Sequence, residues 1–191
     1  MKYPEDLILT GFPSVSTTAK DAIANGIALL TEDRKGQGLI LGMSVKENTT
    51  FSIMEKLQKG LFIDFKKQKE VTEEKRQELA VKTPHIEQKV KFLSGGNQQK
   101  VVLAKWLLTN CDILIFDEPT RGIDVGAKQE IYTLMNRLTQ EGKSIIMISS
   151  EMPELLGMSD RVLVMHEGKI NGELQKEEFS QQEVLRIASG M

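Results

Sequence analysis

The sequence predicts an α/β fold: a parallel sheet with helices packed on it, interrupted by a helical insertion. Apolar runs of the buried-strand type stand at residues 27–31, 112–117 and 144–149. A helical stripe at 127–140 separates the last two runs, and helix-type patterning fills much of 44–108 between the first two. Strand, helix and strand in succession imply parallel pairing through a crossover.

Taken in order, Ala19 to Asn25 reads as a short helix with Thr17 or Thr18 as its N-cap and Gly26 as its stop, leading into the first strand. Glu32-Asp33-Arg34-Lys35-Gly36-Gln37-Gly38 is a charged, glycine-punctuated loop. Ser44-Val45-Lys46-Glu47 forms a capping box, followed by Phe51, Met54 and Leu57 at helical spacing. The Lys- and Glu-rich stretch 66–82 predicts a solvated peripheral helix. After Ser94, the nearly continuous apolar residues Val101, Val102, Leu103, Trp106, Leu107 and Leu108 predict a helix buried on most sides. Ile131, Leu134, Met135 and Leu138 form one stripe on the helix 127–140. Pro153 opens another short helix. Residues 161–166 and 169–174, joined by Glu167-Gly168, predict a hairpin that closes the sheet. Ser180 to Glu183 reads as a second capping box before Val184, Leu185, Ile187 and Ala188.

With 191 residues the chain can build one sizeable core, with or without a satellite subdomain. The expected divisions are 1–37, a first piece of the α/β core; 38–110, a helical subdomain; and 111–191, the rest of the core. The balance of 25 Lys+Arg against 27 Asp+Glu, net charge -2, provides no basic surface of the kind that draws nucleic acid or anionic lipid. No apolar run is long enough to span a bilayer, and no secretory h-region stands at the N-terminus. The single cysteine, Cys111, precedes a strand and is expected to be a buried thiol in a reducing compartment.

Two stretches carry chemistry. Ser94-Gly95-Gly96 sets backbone N–H groups and a hydroxyl at a helix entrance, where the helix dipole favours an anion and glycine allows close approach. Asp117 and Glu118 follow an apolar strand directly, at the carboxyl end where open α/β sheets bind ligands. One carboxylate there can hold Mg²⁺ through water while its neighbour orients an attacking water. Either stretch alone is a common loop or strand end; their order and spacing give them weight.

Leu93-Ser94-Gly95-Gly96-Asn97-Gln98-Gln99-Lys100 resembles the signature of ABC ATPases, residues 113–118 their Walker B strand with its catalytic glutamate, and Gly122-Ile123-Asp124 their D-loop. More narrowly, Thr31-Glu32-Asp33-Arg34-Lys35, residues 117–128 and Ser149-Ser150-Glu151-Met152-Pro153-Glu154 look like the second nucleotide-binding half of the tandem ATPases of bacterial ribose- and galactose-type sugar importers. The resemblance implies a partial P-loop NTPase-like ABC core with a helical subdomain, and ATP and Mg²⁺ as cofactors. It makes Ser94, Gly95, Gly96, Asn97 and Gln98 nucleotide-binding residues acting in trans, Asp117 a metal ligand, Glu118 catalytic, and Gly122 and Asp124 domain-interface residues. Two positions depart from the general pattern: Glu32 stands where a metal-sensing glutamine is usual, and Ser150 where a histidine meets the γ-phosphate. A hydroxyl cannot carry imidazolium charge, so that contact would weaken by about 2 to 4 kcal/mol.

No Gly-x-x-x-x-Gly-Lys-Ser/Thr is present, and Gly11-Phe12-Pro13-Ser14-Val15-Ser16-Thr17 lacks the required lysine. The expectation is a chain truncated before its Walker A motif, holding part of an ATP site, with weak ATP binding alone. Expected partners are an amino-terminal ATPase half or a second copy, permease membrane subunits, and a sugar-binding protein indirectly, with no nucleic acid. The expected place is the cytoplasm, peripheral to the inner face of the membrane. The alternatives are an inactive fragment serving as an interaction module, and a soluble ABC ATPase outside transport.

Overall fold

The computed structural model describes residues 18–60 and 62–190. The lysine-free segment 11–17, including Thr17 as a cap, lies outside the described residues. Thr18 caps α1 (Ala19–Ala24) in a reciprocal box with Asp21. Gly26, at φ +73°, turns the chain into β1 (Ile27–Leu30). The charged loop that follows contains a tight π-type turn, Arg34–Gly38, opened by Asp33, whose carboxylate accepts from Gly36 N–H at 3.0 Å.

Ser44 and Glu47 cap each other at the start of α2 (Val45–Thr50) as the sequence predicts. The chain then tightens into a 3-10 stretch, Phe51–Leu57, that is broken at Ile53 by non-helical dihedrals. The break rotates the expected apolar stripe: Ile53 and Leu57 are buried, whereas Phe51 is exposed. A minimal ladder of β2 (Gln58–Lys59) and β3 (Phe62–Ile63) leads to α3 (Phe65–Glu78), a largely solvated helix capped by Asp64. Helix α4 (Gly95–Leu107) buries Gln98 through Ala104 continuously, in keeping with its near-continuous apolar sequence.

Strand β4 (Ile113–Asp117) lies between β1 and β5 (Ser144–Ile148), and both pairings are parallel. The helix between them, α5 (Val125–Gln140), buries Ile131, Leu134, Met135 and Leu138, the stripe read from the sequence. Ala28, Leu30, Leu114 and Phe116 point to one face of the sheet and share a core with Val101 through Ala104 of α4 and the α5 stripe. Each of the larger side chains among them contributes about 1.5 to 3 kcal/mol when fully buried. On the opposite face, Leu29, Ile146 and Ile148 stay exposed.

Pro153 lies in the first turn of α6 (Met152–Met158). Strands β6 (Arg161–His166) and β7 (Lys169–Gln175) form the expected hairpin, with Glu167 and Gly168 at positive φ in its turn. Among the described residues this hairpin does not close the parallel sheet, contrary to expectation; it is a separate two-stranded sheet. Its inward residues Val162, Val164 and Leu174 find their burial against Val184 and Ile187 of α7 (Gln181–Ala188) instead. Ser180 caps α7, but the expected reciprocal box is only half made, because Glu183 turns its carboxylate to Arg186. Cys111 is buried, and its surroundings push the thiol above its ordinary pKa. Of the histidines, His85 is exposed, while His166 is half-buried and bonds through Nδ1 to the Ala188 carbonyl at 2.7 Å. Among the described residues, no helix is long and apolar enough to cross a membrane.

Candidate functional site

Asp117 ends the central strand β4, so the parallel sheet presents it at a carboxyl tip. The next residue, Glu118, occupies the left-handed region at φ +46°, which costs a non-glycine residue roughly 1 kcal/mol or more. Its N–H donates to the Ile148 carbonyl at 2.9 Å, continuing the ladder. Its carboxylate Oε1 accepts from the Ser150 N–H at 2.8 Å. The strand tips of β4 and β5 are thus tied through Glu118, and Ser150 contributes its backbone to that tie. Pro119 and Thr120 are buried behind the turn.

Ser94 is exposed at the N-cap of α4, with extended backbone and no side-chain bond to the first-turn amides. Its Oγ accepts from Asn97 Nδ2 at 2.8 Å, and Asn97 Oδ1 in turn accepts from Lys82 N–H at 2.7 Å. The helix entrance therefore keeps its amides clear of side-chain caps, the arrangement that favours an anion. Gln98 lies deeper than Ser94 and Asn97. It is buried, with Nε2 donating to the Val90 carbonyl at 3.1 Å, so its side chain braces α4 from inside.

The two glycines are held by packing within the chain as well as by any need to approach a ligand. A Cβ at Gly95 would stand 2.8 Å from Arg34 Nη2 and 3.1 Å from the Gly122 carbonyl. A Cβ at Gly96 would stand 2.8 Å from the Ala127 Cβ. These distances bring the α4 entrance directly against the turn that follows β4.

Gly122 makes that turn at φ +65°, and Asp124 caps α5 with Oδ1 accepting from Ala127 N–H at 2.9 Å. Asp124 is exposed, and the neighbouring Val125 is 84% exposed, an apolar residue presented outward at the tip of the turn. Glu32 forms an ion pair with Arg121. Arg34 donates to the carbonyls of Arg121 (2.8 Å) and Gly122 (3.2 Å). Neither Arg34 nor Val125 was singled out from sequence; a charged loop and a surface valine carry no local signal of such contacts.

Beside the α4 entrance a recess is lined by Arg34, Lys35 and Lys91 together with Leu93, Gly95 and Gln98, giving its wall a positive character. Further along α4, Lys105 Nζ donates to the Gly38 carbonyl at 2.7 Å, and burial pulls this ammonium below the ordinary lysine pKa. Among the described residues, no group of three or more His, Cys, Asp and Glu is arranged to hold a metal ion. Glu32 is engaged by Arg121, and Asp117 ends β4 at a carboxyl tip of the sheet, where a carboxylate can reach a Mg²⁺ whose other ligands come from phosphate and water.

The sequence pattern described as ABC transporter matches residues 7–121. The chain is 52% identical over 182 residues, 95% of its length and 35% of the relative's, to the putative ribose/galactose/methyl galactoside import ATP-binding protein 1 of Rhizobium etli. It is 54% identical over 170 residues, 89% of its length and 34% of the relative's, to the ribose import ATP-binding protein RbsA of Bacillus cereus. It is also 54% identical over 173 residues, 91% of its length and 34% of the relative's, to the L-arabinose transport ATP-binding protein AraG of Geobacillus stearothermophilus. The chain spans about a third of the length of these curated relatives. The fold is similar to the ADP conformation of MJ1267, an ATP-binding cassette of an ABC transporter, with a TM-score of 0.69 at 24% identity over 90% of this chain and 71% of the other. From its matched pattern, its relatives and its fold, the chain belongs to the ABC transporter family.

Proposed function

We propose that the chain is the carboxyl-terminal part of the ATP-hydrolysing subunit of a bacterial monosaccharide importer, with ribose or galactose as the type of sugar. The observation that carries this reading is the convergence of three motifs: the Ser94–Gly96 helix entrance abuts the Gly122 turn, which follows directly on the Asp117–Glu118 strand tip. The relatives named as ribose and galactoside import ATP-binding proteins supply the substrate class.

In this reading Ser94, Gly95 and Gly96 close over ATP held by a partner ATPase half, offering uncapped amides to phosphate oxygens. Asn97 holds the Ser94 hydroxyl in place. Bound Mg²⁺ would neutralise phosphate charge, with Asp117 as its carboxylate. Glu118 orients the attacking water once its carboxylate leaves the Ser150 N–H, and Ser150 stands at the sequence position where the family's histidine would meet the phosphate. Asp124, Gly122 and the outward Val125 meet the partner domain. The helices of 38–110 form a subdomain that moves with the signature, and permease subunits hold the assembly at the cytoplasmic face of the membrane.

The test is reconstitution. Added to a separately produced amino-terminal ATPase half, the chain is expected to raise ATP hydrolysis, and Ser94→Arg is expected to remove the gain. No stimulation by the parent chain, or full stimulation by Ser94→Arg, contradicts the proposal. One observation favours a second reading, an interaction module without catalysis: the Glu118 carboxylate is already occupied by the Ser150 N–H. Stimulation that survives Ser94→Arg and Glu118→Gln together would favour it.

A further inference from the structure

We propose that Arg34 is a positioning residue that clamps the Arg121–Gly122 turn to the loop after β1, so that this loop, the turn and the α4 entrance move as one unit. This rests on the ATPase reading above and assigns to it a means of coupling.

Arg34 reaches across 87 and 88 residues of sequence to donate from Nη1 to the Arg121 carbonyl and from Nη2 to the Gly122 carbonyl. A planar fork suits two adjacent carbonyls, because both bonds form with one side chain held flat. The same Nη2 lies where a Gly95 Cβ would point, so the guanidinium is wedged between the turn and the first residue of α4. Its backbone opens the tight turn Arg34–Gly38, and the far end of that turn is fixed to α4 by Lys105 on the Gly38 carbonyl. Glu32, two residues before Arg34, pairs with the Arg121 side chain, so the loop holds the turn by side chain and backbone together.

The clamp acts on geometry and touches no reacting atom. The carbonyls it holds belong to the turn at φ +65° that sets the direction of Asp124 and Val125. When a partner displaces the loop 32–38, Arg34 transmits the movement to that turn. When the turn meets a partner domain, the α4 entrance is held in register by the same contact. Lysine at this position would supply the charge with one flexible ammonium and lose the paired geometry.

The experiment measures amide hydrogen exchange on the complete chain for the parent, Arg34→Gln and Arg34→Lys. Both variants are expected to exchange about tenfold faster in peptides spanning residues 119–125, with β4 and α5 unchanged. In parallel, stimulated ATP hydrolysis with the amino-terminal half is expected to fall about tenfold in kcat, with KM for ATP within about twofold of the parent. Unchanged exchange at 119–125 overturns the clamp, as does full retention of both readouts in Arg34→Lys. Faster exchange spread over β4 and α5 also overturns it, since Arg34 would then support the fold as a whole. If the parent chain gives no stimulation, the ATPase reading fails, and the exchange measurement still decides the role of Arg34.

Discussion

Glu118 Oε1 accepts a hydrogen bond from the Ser150 N–H at 2.8 Å, which ties the end of β4 to the residues after β5. The Glu118 backbone is in the left-handed region, so the contact helps hold a conformation that the residue would otherwise resist. Glutamine keeps an acceptor oxygen at the same place but cannot take a proton from water. Glu118→Gln is therefore expected to leave the thermal midpoint within a few degrees of the parent, while hydrolysis of ATP whose phosphates meet the Asp117–Glu118 tip falls about a hundredfold or more. Circular dichroism melts and a coupled phosphate-release assay measure the two effects. A large drop in midpoint with activity retained would assign Glu118 to the fold.

Gly96 lies in the first turn of a helix, where alanine ordinarily gains up to about 1 kcal/mol. Here the added Cβ would stand 2.8 Å from the Ala127 Cβ, so α4 and α5 would have to shift apart. The collision is expected to outweigh the propensity gain, and Gly96→Ala is expected to destabilise the chain by about 1 to 3 kcal/mol. Urea unfolding followed by tryptophan fluorescence measures this. A stabilised variant would show that α4 and α5 can part without cost.

Patterns that act over a few residues were legible in the sequence. The Ser44–Glu47 box, the strands through Ile113 and Ile145, and the α5 stripe Ile131, Leu134, Met135 and Leu138 all follow from local periodicity and capping, and the structure places them as expected. The parallel sheet with helices packed against it was legible for the same reason. Features set by distant packing were not. Arg34 looked like one charge in a charged loop, yet its partners are the Arg121 and Gly122 carbonyls. Gln98 belongs to a motif that reads as ligand-facing, but burial against the Val90 carbonyl turns it inward. The β6–β7 hairpin was recognisable as a hairpin, but its choice of α7 over the parallel sheet depends on which core takes Val162 and Val164. Gly95 and Gly96 were read for phosphate approach, and nothing local reveals that Gly122 and Ala127 lie against them.

Glu130 links the helical region to α5 by accepting from buried Lys100 at 2.8 Å and from Lys82 at 2.9 Å. The Lys100 bond first, then the Lys82 bond, lowers its carboxyl pKa to about 2. The folded value is below that of a free carboxyl, roughly 4.3, so the contribution is present above that pH and is lost as pH falls toward the folded value. Because Glu130 is 42% exposed, solvent screening holds this contribution to about 1 kcal/mol. Glu130→Gln is expected to be about 1 kcal/mol less stable than the parent at neutral pH, with the gap closing as pH is lowered from about 4 to 2. Urea titrations across that range measure it. A gap that stays constant with pH would mean the loss comes from packing.

Leu29, Ile115 and Ile146 lie side by side on one face of the sheet, and β5, beyond them, pairs with β4 on one side only among the described residues. Ile146 and Ile148 are 52% and 50% exposed, so the outer strand presents alternate isoleucines and an open row of backbone donors and acceptors. The isolated 191-residue chain is expected to self-associate through this edge at micromolar concentration. Ile146→Lys with Ile148→Lys places charges on that face without touching Ile145 or Met147, which pack against the core on the other. The double variant is expected to shift light scattering from associated species to monomer while keeping the far-ultraviolet spectrum of the parent. Unchanged association would move the contact away from β5, and loss of the spectrum would show that these isoleucines are needed for the fold.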